Sequence, residues 1–328
     1  MDATLPNNLS DPAAPGVPVA PVPSSSPSHV TLADGTTRDL SGLGRDELVR
    51  LQWGQEHTFA RRILEAPKGS IDRAEAVRHA YDTVTRIHAA VIGASGKPLV
   101  MGLHPRYERM LRSLLLRQRD RGVQPRLFEI GYGSGVLLKR VSEWGFPAAG
   151  IEVSPAMYER ACRHFGQNRN VDLYVGDFLR DDFAAEGPRY TLVYWNDVFE
   201  HVPPDEIPDF LRKIHGLLAP GGQLVTITPN WHTRPWDITA ALHPARTEAA
   251  GLHLKEYTLR EVTRLLREAG FSRVATPLVV TPARALLSGS GLVGLKCLVE
   301  PCLELLPVRA AHLLCRGLGL CETIAAKA

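Results

Sequence analysis

The sequence predicts an α/β fold, a mostly parallel sheet preceded by a helical addition. Three observations predict it. From Arg126 onward, short apolar runs alternate with segments of helical spacing. Several of those runs end abruptly in an acid or a glycine, as buried parallel strands do where they meet a ligand-binding edge. Residues 43–122 instead carry apolar positions at helical spacing, without strand-like runs.

Taken in order, residues 1–35 are expected to be a disordered tail, because 1–28 hold seven prolines and almost no aromatic or charged residues. Residues 36–124 are expected to be helical, with "GRDELVRLQWGQEHTFARRILEA" and "SIDRAEAVRHAYDTVTRIHAAVIG" as two helices. Ser70 is a plausible start for the second helix and Gly93 a plausible stop. A third helix is expected from about Pro105 to Arg121, its arginines on one solvated face. Residues 125–328 form the α/β domain. Its strands are "RLFEIG", "AAGIEV", "VDLYVGD", "YTLVYWND", "GQLVTITP" and "FSRVATPLVV", with "LCETIAAKA" as the last candidate. Residues 283–319 are an apolar insertion before that last strand, expected to be helical and interrupted by Lys296, Glu300 and Pro301. It is read as packing on the sheet, with a lid, a dimer surface or peripheral membrane or lipid contact as alternatives.

The bulk numbers exclude several classes. The chain of 328 residues is 44% hydrophobic and 22% charged, with net charge +3. That charge is too small to argue for nucleic acid. The five cysteines include no CxxC pair, so a disulfide framework is not expected and a reducing, cytoplasmic setting is. The start, "MDATLPNNLSDPAAP", is not read as a signal peptide, and no run of 18 uncharged apolar residues predicts a membrane span.

The chemistry gathers at successive strand ends. "LFEIGYGSG" ends in Glu129 and then Gly131, Gly133 and Gly135. Glycines let a ligand approach the backbone, and the next helix offers free N–H groups. A tight turn needing glycine for steric reasons is the competing explanation. The second strand ends in Glu152, placed to accept both hydroxyls of a ribose. The third leads to Asp177, able to accept an adenine amine, and Phe178, able to cover the ring. The fourth ends in "NDVFEHV", with Asn196 and Asp197 at the edge.

As an ordered set, "EIGYGSG", "GIEVS", "VGDF", "NDVFEHV" and "LLAPGGQLVTITPN" resemble the class I S-adenosylmethionine (SAM)-dependent methyltransferases over residues 126–328. The resemblance implies a seven-stranded Rossmann-like sheet, mostly parallel with an antiparallel last strand. It also implies SAM as cofactor, held by Glu129, Gly131, Gly133, Gly135, Glu152, Asp177, Phe178 and Asn196. "DVFEH" with the distant His253 of "GLHLKEYTLRE" resembles two branches. These are the ubiquinone-type O-methyltransferases and the small-RNA 3′-terminal 2′-O-methyltransferases, with Asp197 in place of the first Glu of E-x-x-E-H. From the RNA branch follows an expected divalent metal, magnesium or manganese, on Asp197, Glu200, His201 and His253. A hydrogen-bonded Glu200–His201 pair without metal is the other reading. His201, His253 and Asp197 are the expected catalytic residues.

Weaker candidates are Trp231, His232, Trp236 and His243 in the connection after the fifth strand, Lys255 and Tyr257 near His253, and His104, Arg106 and Tyr107 before the first strand. The function expected is methyl transfer from SAM to a small-molecule hydroxyl, phenolic, sugar or lipid-like. An RNA 2′-O-methyltransferase and a non-catalytic cofactor-binding protein stand as alternatives.

Overall fold

The computed structural model describes residues 29–95, 104–165, 170–182, 190–281, 284–287 and 290–328, the side chains of 279–290 excepted. The tail expected over 1–28 lies outside the described residues. The described chain falls into two compact units, one drawn from 1–102 with 235–254, the other from 103–234 with 255–328. The border expected from the sequence lies near 124, and no local signal in the sequence marks the return of 235–254 to the first unit.

The first unit begins with an antiparallel hairpin, β1 (His29–Thr31) and β2 (Thr37–Asp39), where the tail was expected to run on to residue 35. Asp34 turns the chain by accepting from Thr36 N–H at 2.9 Å. Helix α1 (Arg45–Glu65) and helix α2 (Ile71–Ala94) follow. Ser70 caps α2 as expected, its hydroxyl accepting from Arg73 N–H. The hairpin is tied to both helices, by Ala33 N–H to Gln55 and by the Thr83 hydroxyl to Thr31 O. Phe59, Ile63, Ala80 and Leu252 form one buried cluster of this unit, Leu48, Ile87, Val91 and Ile238 another.

The second unit opens with α3 (Pro105–Asp120), which starts on Pro105 and buries Tyr107, Met110, Leu111, Leu114 and Leu115. Then strands and helices alternate: β3 (Leu127–Ile130), α4 (Val136–Glu143), β4 (Ala148–Glu152), α5 (Pro155–Phe165), β5 (Val171–Val175), β6 (Tyr190–Asn196), α6 (Ile207–Leu217), β7 (Leu218–Ile227) and α7 (Leu259–Glu268). After them come β8 (Arg273–Ala275), β9 (Pro277–Thr281), β10 (Arg284–Leu287), α8 (Ser290–Val299), α9 (Val308–Leu318) and β11 (Glu322–Ala326). The main sheet has seven strands in the order β5-β4-β3-β6-β7-β11-β8. Strands β3 to β7 pair in parallel, and β11 lies antiparallel between β7 and β8. The expected sheet with an antiparallel last strand is therefore present. Parallel pairing puts the carboxyl ends of β3, β4, β5 and β6 on one edge.

Two expectations are corrected here. "FSRVATPLVV" is not one strand. Its first part is β8; Pro277, which has no N–H for a ladder, starts β9, which pairs with β10 in a separate hairpin. The insertion is thus not helical from its start, since Arg284–Leu287 is a strand. Its charged residues are internal fastenings. Glu300 is buried and accepts from Leu259 N–H at 2.5 Å, Arg260 N–H at 3.3 Å and Asn230 Nδ2 at 2.6 Å, capping α7. Lys296 Nζ donates to Thr276 Oγ1 at 2.6 Å and Pro277 O at 3.0 Å, and burial pushes its ammonium down to about 8. Of the four cysteines expected in the core here, Cys297, Cys315 and Cys321 are buried and Cys302 is exposed. Leu295, Leu298, Leu305 and Leu313 are 56%, 67%, 85% and 72% exposed, so the insertion presents much apolar surface to solvent.

Candidate active site

All four residues of β3 are buried, including Glu129. Its Oε2 is buried without a hydrogen-bond partner among the described residues. The following loop needs glycine for its backbone, since Gly131, Gly133 and Gly135 have φ of +70°, +54° and +76°. Two of them are also tightly packed. A Cβ on Gly131 would stand 2.6 Å from Val198 Cγ2, and one on Gly135 would stand 2.5 Å from the Phe165 ring. The steric reason for glycine therefore holds here whatever the loop binds. The loop delivers the chain into α4, whose first N–H groups have no partner within the helix.

Glu152 ends β4 and is buried. Each carboxylate oxygen takes one backbone N–H, Gly133 to Oε2 at 2.8 Å and Ser154 to Oε1 at 3.0 Å. The loop after β3 and the end of β4 are thereby held together, and each oxygen keeps a further lone pair. Burial pushes the Glu152 carboxyl up. Glu129 is pushed well up, first by burial and then by the charge of Glu152. Two acids in one buried corner make a place that favours a cation.

After β5, the Asp177 carboxylate accepts from Leu179 N–H at 2.8 Å and Arg180 N–H at 3.3 Å, which shapes the turn. Phe178 differs from expectation. Its ring is buried in the core, stacked on Phe210 at 5.2 Å, with Lys213 Nζ 5.3 Å from its centre. It is committed to packing and does not present a face for an adenine. The turn sets which of two neighbouring side chains faces outward, and that choice is not written in the sequence.

At the end of β6, Asn196 Nδ2 donates to Asp197 Oδ2 at 3.0 Å, and Asn196 Oδ1 is buried without a partner among the described residues. Asp197 has φ of +51°, a left-handed conformation that a non-glycine residue adopts at a cost of about 1 kcal/mol or more. The kink leads into a 3-10 turn, Phe199–His201, which buries Glu200 completely and leaves His201 half-buried. Glu200 Oε2 accepts from the Thr228 hydroxyl at 3.0 Å, and Glu200 O accepts from Lys255 N–H at 3.2 Å. Thr228, in the "TITP" that ends β7, went unnoticed in the sequence because nothing local marks it. Tyr257 is buried, its hydroxyl has no partner among the described residues, and burial followed by the charges of Glu261 and Glu200 pushes it up. His253 is buried and lies in the first unit, whereas Asp197, Glu200 and His201 lie in the second.

A family model described as a methyltransferase domain matches residues 103–276. The chain belongs to this methyltransferase domain family. Over 153 residues it is 30% identical to a ubiquinone biosynthesis O-methyltransferase of Cereibacter sphaeroides, covering 45% of this chain and 61% of that protein. Over 106 residues it is 29% identical to a ubiquinone biosynthesis O-methyltransferase of a Caulobacter species, covering 32% and 41%. The chain thus spans less than two thirds of the length of these relatives. Among solved structures, a TehB-like SAM-dependent methyltransferase from Corynebacterium glutamicum is 14% identical with a TM-score of 0.43, covering 75% of this chain and 96% of that one.

The weaker candidates take varied places around the methyltransferase domain. Trp231 is half-buried under Arg234, whose guanidinium carbon lies 3.4 Å from the ring centre. Arg234 and His232 both reach Glu304 Oε1, at 2.5 and 3.3 Å. Trp236 and His243 belong to the first unit, Trp236 buried and His243 exposed beside Trp53. His104 caps α3 through Arg106 N–H, and Arg106 and Tyr107 are buried against Glu322 of β11.

Proposed function

We propose that this methyltransferase domain transfers a methyl group from SAM to the hydroxyl oxygen of a small molecule of phenolic, sugar or lipid-like character. The observation that carries it is the buried corner formed by Glu129, the glycine loop and Glu152. The residues fit the cofactor. Glu129 offers an unpartnered buried oxygen to a cation, and Glu152 offers a lone pair on each oxygen to a pair of hydroxyls. Asp177 and Asn196 complete the set along the strand ends, without Phe178. When bound, SAM supplies an electrophilic methyl on a sulfonium. The chain's task is to orient the acceptor and accept its proton. His201 is assigned that proton, with Asp197 and His253 as the other candidate catalytic residues. The acceptor class is supported by the O-methyltransferase relatives and by the exposed leucines of the insertion.

A second reading adds a divalent ion, magnesium or manganese, on Asp197, Glu200, His201 and His253. It is favoured within the second unit by the placement of Asp197, Glu200 and His201 together in residues 197–201 at the end of β6, with Glu200 buried and His201 half-buried. Oxygen and imidazole ligands suit such an ion, which would bind the acceptor oxygen and lower its pKa.

The test is calorimetric titration of S-adenosylhomocysteine (SAH) into chelator-treated protein, with and without magnesium or manganese. Micromolar binding is expected in the wild type and none in Gly133→Arg, which puts a bulky side chain at a left-handed position of the loop. Wild-type protein that fails to bind in every condition overturns the reading. Binding should then be followed by labelled-methyl transfer to phenols, sugars and isoprenyl alcohols. A pH effect is also expected. SAH lacks the sulfonium but keeps an α-ammonium, which binds the ionised form of Glu129; burial raises that carboxyl's pKa, so SAH affinity should climb as pH rises above the ordinary carboxylate range, by at most about tenfold per unit. The slope should flatten in Glu129→Gln; an equal slope there would assign it to another group.

A further inference from the structure

The first unit holds a buried polar cluster that the proposed chemistry leaves unexplained. On α1, Gln52 and Glu56 are both buried, and Gln52 Nε2 donates to Glu56 Oε1 at 2.7 Å while standing 3.4 Å from His88 Nδ1 on α2. The other oxygen of Glu56 accepts from Leu252 N–H at 3.1 Å. The two amides before it are taken as well, Gly251 N–H by Asp237 Oδ2 at 2.7 Å and Ala250 N–H by Thr239 Oγ1 at 3.0 Å. His57 Nδ1 stands 3.1 Å from the Ala250 carbonyl. Three successive amides are thus each held by a different side chain, and the next residue is His253.

Gly251 makes this possible. A Cβ there would lie 2.5 Å from Asp237 Oδ2 and 2.5 Å from Glu56 Oε2, so only glycine admits both carboxylates. The arrangement is expensive. Burial pushes Glu56 up to about 7, and an apolar side chain packed at this position would be at least as stable. Such a cost, in a segment that ends at His253, is what a site retained for function rather than stability looks like.

We propose that Glu56 is a positioning residue, which clamps the 250–252 backbone from helix α1 together with Asp237 and Thr239 and so sets the place of the His253 imidazole. The catalytic meaning of this rests on the reading of His253 given under the proposed function.

The experiment uses full-length protein with isotopically labelled histidine, and follows the His253 imidazole resonance, assigned with His253→Gln, at one fixed pH. In Glu56→Ala the signal is expected to move by more than its width or to broaden away, while those of His164 and His215 in the other unit stay put. Glu56→Gln should restore it. Its carbonyl still accepts from Leu252 N–H, and its new amide proton can meet Gln52 Oε1, which is buried without a partner among the described residues. If Glu56→Ala does not fold, Glu56→Leu exchanges the buried carboxyl for an apolar group and is read the same way. An unmoved His253 signal in either folded variant overturns the proposal. SAH titration of the wild type runs alongside. Its failure would remove the functional reading and leave the clamp standing, whereas SAH binding with an unmoved His253 would remove the clamp alone. With a turned-over acceptor, kcat should fall about tenfold in Glu56→Ala and the KM for SAM should change less than about twofold.

Discussion

Replacing Glu152 with alanine is expected to lower SAH affinity at least 100-fold. The carboxylate is buried, and both oxygens already hold backbone N–H groups, of Gly133 and of Ser154. Hydrogen bonds to a charged group contribute about 1.5–3 kcal/mol each, so losing two to the cofactor hydroxyls corresponds to roughly 3–6 kcal/mol. A second loss adds to it. Gly133 N–H would be left unsatisfied in a loop whose φ values only glycine tolerates, and the loop would lose its tie to β4. Glu152→Gln separates the two. One oxygen still holds an amide, but the new NH2 faces a donor on the other side, so an intermediate loss is expected. Calorimetric titration of both variants, with thermal unfolding as a check on folding, measures this. A loss under about fivefold in folded Glu152→Ala would mean that the cofactor does not rest on this residue.

How much of this could be read beforehand follows from how local each signal is. The strands β3, β4 and β6 are buried along nearly their whole length, so each is a mostly apolar run, and the acid or amide at or next to its end stands out. That is why Glu129, Glu152 and Asn196 could be placed on one edge from sequence. The orientation of Phe178 depends on how the turn after β5 rotates, and the core claimed it. The left-handed φ of Asp197 is invisible because the residue is not glycine. The β1–β2 hairpin was missed because three-residue strands carry almost no periodicity, and its support comes from α1 and α2. The Glu56 clamp joins residues nearly 200 positions apart, and the cap that Glu300 places on α7 spans about 40. In the sequence Glu300 is an interruption of an apolar run and Glu56 carries no mark of its own, because burial and partner are properties of the fold.

Arg106→Met is expected to cost about 3–5 kcal/mol of stability. Arg106 and Glu322 form a buried ion pair between α3 and the last strand, with the Tyr107 hydroxyl 2.8 Å from the guanidinium and 3.2 Å from the carboxylate. In the sequence Arg106 and Tyr107 stand among the weaker site candidates before the first strand. The structure makes them a strut that fixes β11 between β7 and β8. Without the guanidinium the carboxylate would stay buried with only the Tyr107 hydroxyl and the charge of Lys296 to offset its desolvation. Burial already raises the Glu322 pKa against the opposing pull of Arg106, so losing Arg106 raises it further. The sign follows from linkage. A carboxyl whose folded pKa lies above its unfolded value keeps a proton in the native state, so stability falls as pH rises from the unfolded value through the folded one. The deficit of Arg106→Met should therefore be smallest near pH 5 and largest near pH 8, as read by denaturant unfolding at both. Arg106→Met with Glu322→Leu removes both charges and should recover most of the loss, because a packed apolar pair replaces a buried ion pair at little or no cost. A single variant as destabilised at pH 5 as at pH 8, or a double variant no better than the single, would mean that packing of the Arg106 stem and not the buried charge holds β11 in place.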